Sequence, residues 1–224
     1  MTFSLAARCA RTGQFGAAVA SSSPAVAARC ICARAGVGAA GTQNVTDPRL
    51  GPALLDALAG GLTAGQAVDA VVASAAHADY RQLTAVDSTG RAAAYSGERT
   101  FGRHASAVGT DAVAAGNLLA STDVPGAMLA AFGQAPGEDL GDRLLAALVA
   151  GEKAGGERGP VHSAGLVIVD EVPWPVTDLR VDWSEDPLGG LRDLWRIWKP
   201  QAADYLTRAL DPRLAPAFGV PGDE

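Results

Sequence analysis

Short runs of alternating apolar and polar positions open the chain. Phe3 to Arg8 and Phe15 to Ala20 both read as strands, and Arg11-Thr12-Gly13 between them is a turn, so the first element predicted is a β-hairpin. Ser21-Ser22-Ser23-Pro24 breaks the pattern. Cys30 to Ala40, rich in Gly and Ala, then reads as one further strand with close backbone neighbours, ended by a polar turn at Gly41-Thr42-Gln43-Asn44. Beyond it the hydrophobic period becomes helical. Leu50, Leu54, Leu55 and Leu58 make the stripe of one helix between Asp47-Pro48 and Gly60-Gly61, and Val68, Val71 and Val72 that of a second. Thr63 and Gln66 have the capping-box spacing at the start of this second helix, which should run to about His77.

Strands then return. Gln82 to Val86 and Ala92 to Tyr95 flank the turn Asp87-Ser88-Thr89-Gly90 as a hairpin, and His104 to Val108 and Ala112 to Leu118 read as further strands. Helices are predicted over Val124 to Phe132 and over Leu140 to Glu152, where Leu144, Leu145, Leu148 and Val149 form the core stripe. Ser163 to Val169 and Thr177 to Trp183 are strands, and Leu188 to Leu210 is helical with a break at Pro200. Strands and helices therefore come in blocks. Strict alternation would indicate a doubly wound parallel sheet; blocks indicate an α+β protein, two sheets with helices outside them. Residues 1–211 read as a single domain without internal repeat or linker, and 212–224, poor in core residues, as a frayed tail.

Composition narrows the functional classes. The chain has 224 residues, 48% hydrophobic and 19% charged, with a formal charge of -6, which is globular and not disordered. Only two lysines occur, Lys153 and Lys199, so no basic stripe exists to neutralise phosphates and nucleic acid is not an expected partner. No apolar run approaches the ~20 residues of a membrane span, and no N-terminal run has signal-peptide form, so a cytoplasmic protein with no membrane partner is expected. Cys9, Cys30 and Cys32 are an odd, clustered set, not a disulfide framework. One residue apart in a strand, Cys30 and Cys32 would face opposite sides and could not share a metal. His77, His104 and His162 have no metal-ligand spacing, and Gly36-Val37-Gly38 with Gly41 lacks the dinucleotide fingerprint in its setting. No cofactor and no metal are expected.

The most telling position is Thr2. Removal of Met1 before so small a residue would leave a free α-amine, with an ordinary pKa of about 8, beside the Thr hydroxyl. One residue would then supply both nucleophile and general base. The surroundings add to this. Thr2-Phe3-Ser4-Leu5-Ala6-Ala7-Arg8, Gly16 to Ser21, Ala33 to Gln43, Arg81-Gln82-Leu83 with Val86-Asp87, Gly116-Asn117, Ser163-Ala164 and Asp178 to Asp182 resemble the domain of unknown function 1028 family, which is N-terminal-nucleophile (Ntn) hydrolase-like. The resemblance runs from Thr2 to about Leu194 and implies a four-layer αββα sandwich; it brings no substrate.

Proteasome β-subunits are a looser comparison within that fold. There a Thr nucleophile is helped by an Asp, a Lys and a backbone amide. Thr2 matches the nucleophile, Ser21 falls where the Asp would be, and only Arg29 or Arg34 could replace the cation. Arginine cannot shuttle protons, though it can lower the pKa of a nearby ammonium by repulsion.

Thr2, Asn117 and Gln43 are the candidate catalytic residues, with the Asn117 amide or backbone amides of Gly41 to Asn44 as oxyanion donors. Ser21, Arg34, Asn44, Arg81, Gln82 and Ser163 are candidates for binding a small amide or short peptide. For Arg81 a surface salt bridge is the plainer alternative, and for Arg180 with Asp182 a structural ion pair. Trp195 and Trp198, with Leu191, Leu194 and Ile197, make a packing face or a homo-oligomer contact. Three functions stay open: an Ntn-type amide hydrolase, a non-catalytic small-molecule binding protein on the same sandwich, and a hydrolase working through a residue other than Thr2.

Overall fold

In the computed structural model, which describes residues 1–220, the opening hairpin lies at the centre of the larger of two sheets. Strand β1 (Thr2–Arg8) pairs antiparallel with β2 (Phe15–Ser21), and its side chains divide cleanly by parity. Phe3, Leu5 and Ala7 enter one apolar cluster, while Ala6, with Ala17 and Val113, enters another. Both faces are thus covered, which is why β1 is buried along nearly its whole length although it lies in an antiparallel sheet.

The strand expected over Cys30 to Ala40 is instead two strands. A single helical turn, α1 (Ala27–Cys30), leads into β3 (Ile31–Arg34), which turns back into β4 (Gly38–Asn44) with Gly36 at φ +69°. Glycine is suited to that reversal, and the alternation of small residues concealed it. The supposed turn Gly41 to Asn44 is therefore strand, paired with β5 as far as Asn44 opposite Arg81.

Helices α2 (Leu50–Ala59) and α3 (Ala64–Ser74) follow, and α3 starts with the predicted capping box between Thr63 and Gln66. It stops earlier than expected: His77 takes a left-handed conformation before a 3-10 turn at Ala78–Tyr80. Then come β5 (Arg81–Asp87), β6 (Ala92–Ser96), β7 (Ala105–Gly109) and β8 (Ala112–Asn117), and after them α4 (Val124–Gln134) and α5 (Leu140–Lys153). Strands β9 (Ser163–Val169) and β10 (Pro175–Val181) precede α6 (Pro187–Trp198) and α7 (Ala202–Leu210). Pro200 lies in a 3-10 turn between these last two helices, as its missing N–H requires.

Two antiparallel sheets result, in the orders β10-β9-β2-β1-β8-β7 and β3-β4-β5-β6. Leu54, Leu58, Val68 and Val71 of α2 and α3 pack with Ala40, Leu83 and Ala85 of the smaller sheet. Met128, Leu144, Leu148 and Leu191 of α4, α5 and α6 pack with Phe3, Leu5 and Leu166 of the larger one. A third apolar cluster joins the sheets directly through Ala6, Ala17, Val113 and Val167 on one side and Ala39 and Val86 on the other. The smallness of these side chains lets the sheets approach closely, and an added Cβ on Gly41 would lie 3.8 Å from Ser4 Oγ of the larger sheet.

Arg180 pairs with Asp178 at 3.5 Å, not with Asp182, whose carbonyl instead accepts the Ala25 amide. Trp195 and Trp198 pack inward, donating to Asp142 and Thr177, while Leu194 and Ile197 are exposed. Near the chain end Arg208 donates to the Pro216 carbonyl and covers the Phe218 ring; the last four residues of the expected tail, 221–224, lie outside the described residues. Among the described residues no helix is long and apolar enough to cross a membrane.

Candidate functional site

The space between the sheets is apolar at one end and polar at the other, and Thr2 marks the polar end. Strand register sets this. Thr2 stands opposite Asn117 of β8, the β1–β2 ladder continues from Phe3–Ala20 to bring Thr2 beside Ser21, and Ser21 stands opposite Ser163 of β9. Asn117, Thr2, Ser21 and Ser163 thus form one row across four adjacent strands. Thr2 is 5% exposed and the other three are fully buried. Gln43, Gln82 and Ser96 make the corresponding row on the second sheet.

The two rows are joined by a chain of amides whose direction is fixed. Gln82 Nε2 donates to the Gly116 carbonyl at 3.1 Å and to Ser96 Oγ at 3.0 Å. Because that carbonyl can only accept, Gln82 Oε1 must be the acceptor for Gln43 Nε2 at 2.7 Å and Asn117 Nδ2 at 3.2 Å. Gln43 Oε1 in turn accepts from Ser4 Oγ at 2.6 Å. One atom is left over: Asn117 Oδ1 is buried and has no partner among the described residues. An unpaired buried acceptor of this kind costs about 1–3 kcal/mol. Asn117 therefore adds an open acceptor for N–H groups at Oδ1, while Nδ2 keeps a second N–H beyond the one given to Gln82, the donor expected of it.

A second chain runs through hydroxyls. Thr2 Oγ1 and Ser21 Oγ are 3.3 Å apart, and both donate to the carbonyl oxygen of Met1. With its proton on that carbonyl, Ser21 Oγ must accept from Ser23 Oγ at 2.8 Å, and Ser23 Oγ accepts from Arg29 Nη2 at 2.7 Å. Arg29 is held in turn by the carbonyls of Pro24 and Ala25. Of the two arginines considered as cations, Arg29 is thus linked to Thr2 through two serines. Arg34 is not: it pairs with Asp56 at 2.8 Å at the far end of β3.

A residue that sequence reasoning missed completes this corner. Gly155 and Gly156, at φ +119° and +55°, reverse the chain after α5 and bring Glu157 into a bridge with Leu119. Both Glu157 carboxylate oxygens accept the Ser22 amide at 3.1 Å. Burial pushes the Glu157 carboxyl up to about 7, against the Met1 ammonium, Ser22 and His162, which pull it down. Its only sequence signal was an acidic residue directly after a double glycine.

Ser163 serves the local backbone, donating to the Ser23 carbonyl at 2.6 Å and accepting the Val26 amide at 3.2 Å. Asn44, at φ +75°, donates to the Tyr80 carbonyl and accepts from Phe101 N, so it ties loops together. Arg81 donates to the Val45 carbonyl, and no salt bridge of the expected kind is formed within reach of its guanidinium among the described residues. Burial raises Cys30 and pushes Cys32 to about 12, keeping both as thiols. Cys30 ends α1, so the two do not alternate along one strand. Among the described residues no three His, Cys, Asp or Glu side chains converge as a metal site.

The molecule is thus a mixed α and β protein of two antiparallel sheets with a buried polar cluster at the start of its first strand. The sequence model of the family of unknown function DUF1028 matches residues 2–191, and the chain belongs to that family. It is similar to the crystal structure of protein SPO2555 from Silicibacter pomeroyi, of the same family, at 31% identity and a TM-score of 0.84, over 91% of this chain and 89% of that one. No curated protein matches the sequence.

Proposed function

We propose that the chain is an Ntn-type amide hydrolase on a four-layer αββα sandwich, with Thr2, freed of Met1, as nucleophile. One observation carries this reading: the hydroxyls of Thr2 and Ser21 already converge on a carbonyl oxygen, that of Met1, at the buried end of β1. Loss of Met1 vacates that position for the carbonyl of an amide substrate. Thr2 Oγ1 then attacks the carbonyl carbon, and the Thr2 α-amine accepts the hydroxyl proton. The C–N bond breaks as that proton passes to the leaving nitrogen. Water, deprotonated by the same amine, attacks the resulting ester, releasing a carboxylic acid and restoring the hydroxyl. Ser21 donates to the carbonyl oxygen as it gains charge, with its hydroxyl polarised through Ser23 by Arg29.

The test is covalent. A β-lactone probe is incubated with processed, untagged protein and the adduct is mapped by peptide mass spectrometry. An ester on Thr2, absent in Thr2→Ala of unchanged circular dichroism, is the expected result. A processed protein that leaves the lactone unreacted overturns the proposal.

A non-catalytic binding role is favoured by a different observation: among the described residues no lysine enters the hydrogen bonds of Thr2 and Ser21, and Lys199 is engaged by Asp139 and Asp142. A ligand that raises the Tm of both wild type and Thr2→Ala without being consumed would support that role.

A further inference from the structure

We propose that Glu157, together with Asn117 Oδ1, holds the α-amine that removal of Met1 creates on Thr2. The inference rests on Thr2 being the processed N-terminus; it does not require turnover. It arises from where Glu157 sits. Strand β1 lies between β2 and β8, and Glu157 touches the continuation of both neighbours: its backbone bridges Leu119 beyond β8, and its carboxylate takes the Ser22 amide beyond β2. Glu157 therefore closes the strip in which β1 would continue if the chain ran on past Thr2. It is 5% exposed, so a carboxylate there needs a partner of opposite charge or several donors. Its hydrogen-bond donors come from Ser22 alone among the described residues, and the opposite charge acting on it here is the Met1 ammonium, which leaves with Met1.

Asn117 Oδ1 points to the same conclusion independently. The amide chain anchored on the Gly116 carbonyl leaves this buried acceptor without a donor, on the residue directly opposite Thr2. With Met1 attached, the nitrogen of Thr2 carries one N–H. Freed, it carries three as the ammonium, so two additional donors appear beside one unpaired acceptor and one sparsely satisfied carboxylate. The titratable groups sharing the corner are the Met1 ammonium, which leaves with Met1, His162, 3.8 Å from Glu185 and stacked on Trp183, the Cys30 thiol at the end of α1, and Arg29 through Ser23. Glu157 is the buried carboxylate among them. As a positioning residue it orients the amine toward the Thr2 hydroxyl and raises its basicity, so that the neutral amine takes the hydroxyl proton more strongly.

The experiment titrates that amine directly. Full-length protein lacking Met1, obtained by cleaving a fusion directly before Thr2 if cells retain the methionine, is labelled with 15N-threonine and its α-amine shift followed by NMR across pH 5 to 10. The wild-type amine is expected to titrate above the ordinary value of about 8. Glu157→Gln should lower the midpoint by about one pH unit, Glu157→Asp should restore most of it, and Asn117→Ala should lower it less. A wild-type midpoint at or below 8 overturns the proposal even if no variant folds, and so does an unchanged midpoint in Glu157→Gln. Failure of lactone labelling with the midpoint shift intact would overturn the hydrolase and leave this amine site standing.

Discussion

Gln82 Nε2 donates to the Gly116 carbonyl across the gap between the sheets, and this one contact orients four side chains. The backbone carbonyl cannot reverse its role, so Gln82, Gln43, Asn117 and Ser4 have one consistent arrangement. The two sheets are therefore locked in register by amides at the polar end, where the apolar cluster of Ala6, Ala39, Val86 and Val113 does not reach.

A stability prediction comes from this lock. Gln82→Leu leaves the Gly116 carbonyl, Gln43 Nε2 and Asn117 Nδ2 buried without their partner, at a cost of about 3 kcal/mol. Adding Gln43→Leu should cost less than its own single effect, because both ends of one hydrogen bond are then apolar. Urea unfolding of the two single variants and the double variant measures the coupling. Strictly additive values would show that the amide chain does not act as a unit.

The hydroxyl chain gives a kinetic prediction. Ser21 is the group that donates to the carbonyl, so Ser21→Ala should lower kcat about 100-fold with little change in Tm. Ser23→Ala and Arg29→Ala remove only the polarisation of Ser21 and should lower kcat several-fold, with KM nearly unchanged. Arg34→Ala, at the far end of β3, serves as the control and should have no effect on kcat. Measured rates on any amide the wild type hydrolyses decide the order. A larger loss from Arg34→Ala than from Ser21→Ala would contradict it.

Much of this site was legible in the chain because its members fall at strand ends that periodicity locates. Thr2, Ser21, Asn117 and Ser163 each begin or end a strand, and strand ends meet once the register is set. Gln43 and Gln82, candidates from the sequence, stand in the polar cluster, although Gly41 to Asn44 reads as a turn and is strand. An Ala- and Gly-rich strand carries little alternation to distinguish it from a loop. Glu157 could not be found that way. Its place depends on a bridge to Leu119, far back in the chain, and on two glycines with positive φ, and neither leaves a local pattern. Arg34, Asn44 and Arg81 show the converse: polar residues next to the site in sequence can be spent on an ion pair or on loop carbonyls.

Asp87 supplies a prediction about pH, independent of catalysis. It ends β5 at the opposite end of the smaller sheet from Gln82, joining the start of α3 to the β5–β6 turn. Burial acts to raise its carboxyl. The Thr89 hydroxyl and amide, the Ala64 amide and Arg91 outweigh burial and hold it at about 2. A carboxylate with a depressed folded pKa stabilises the fold above its unfolded value, about 3.9, and the contribution is lost as pH falls through the folded value. Asp87→Asn should therefore cost about 2 kcal/mol at pH 7, where charged hydrogen bonds are lost. The gap between variant and wild type should be constant down to about pH 4 and shrink steadily toward pH 2. Comparing the two proteins by urea unfolding at pH 7, 4, 3 and 2 separates Asp87 from Asp47, whose carboxyl is also held at about 2 by Arg49 and which titrates alike in both proteins. A gap that stays the same at pH 2 would show that Asp87 acts through packing or as a neutral hydrogen-bonding group, and that its charge contributes nothing to the fold.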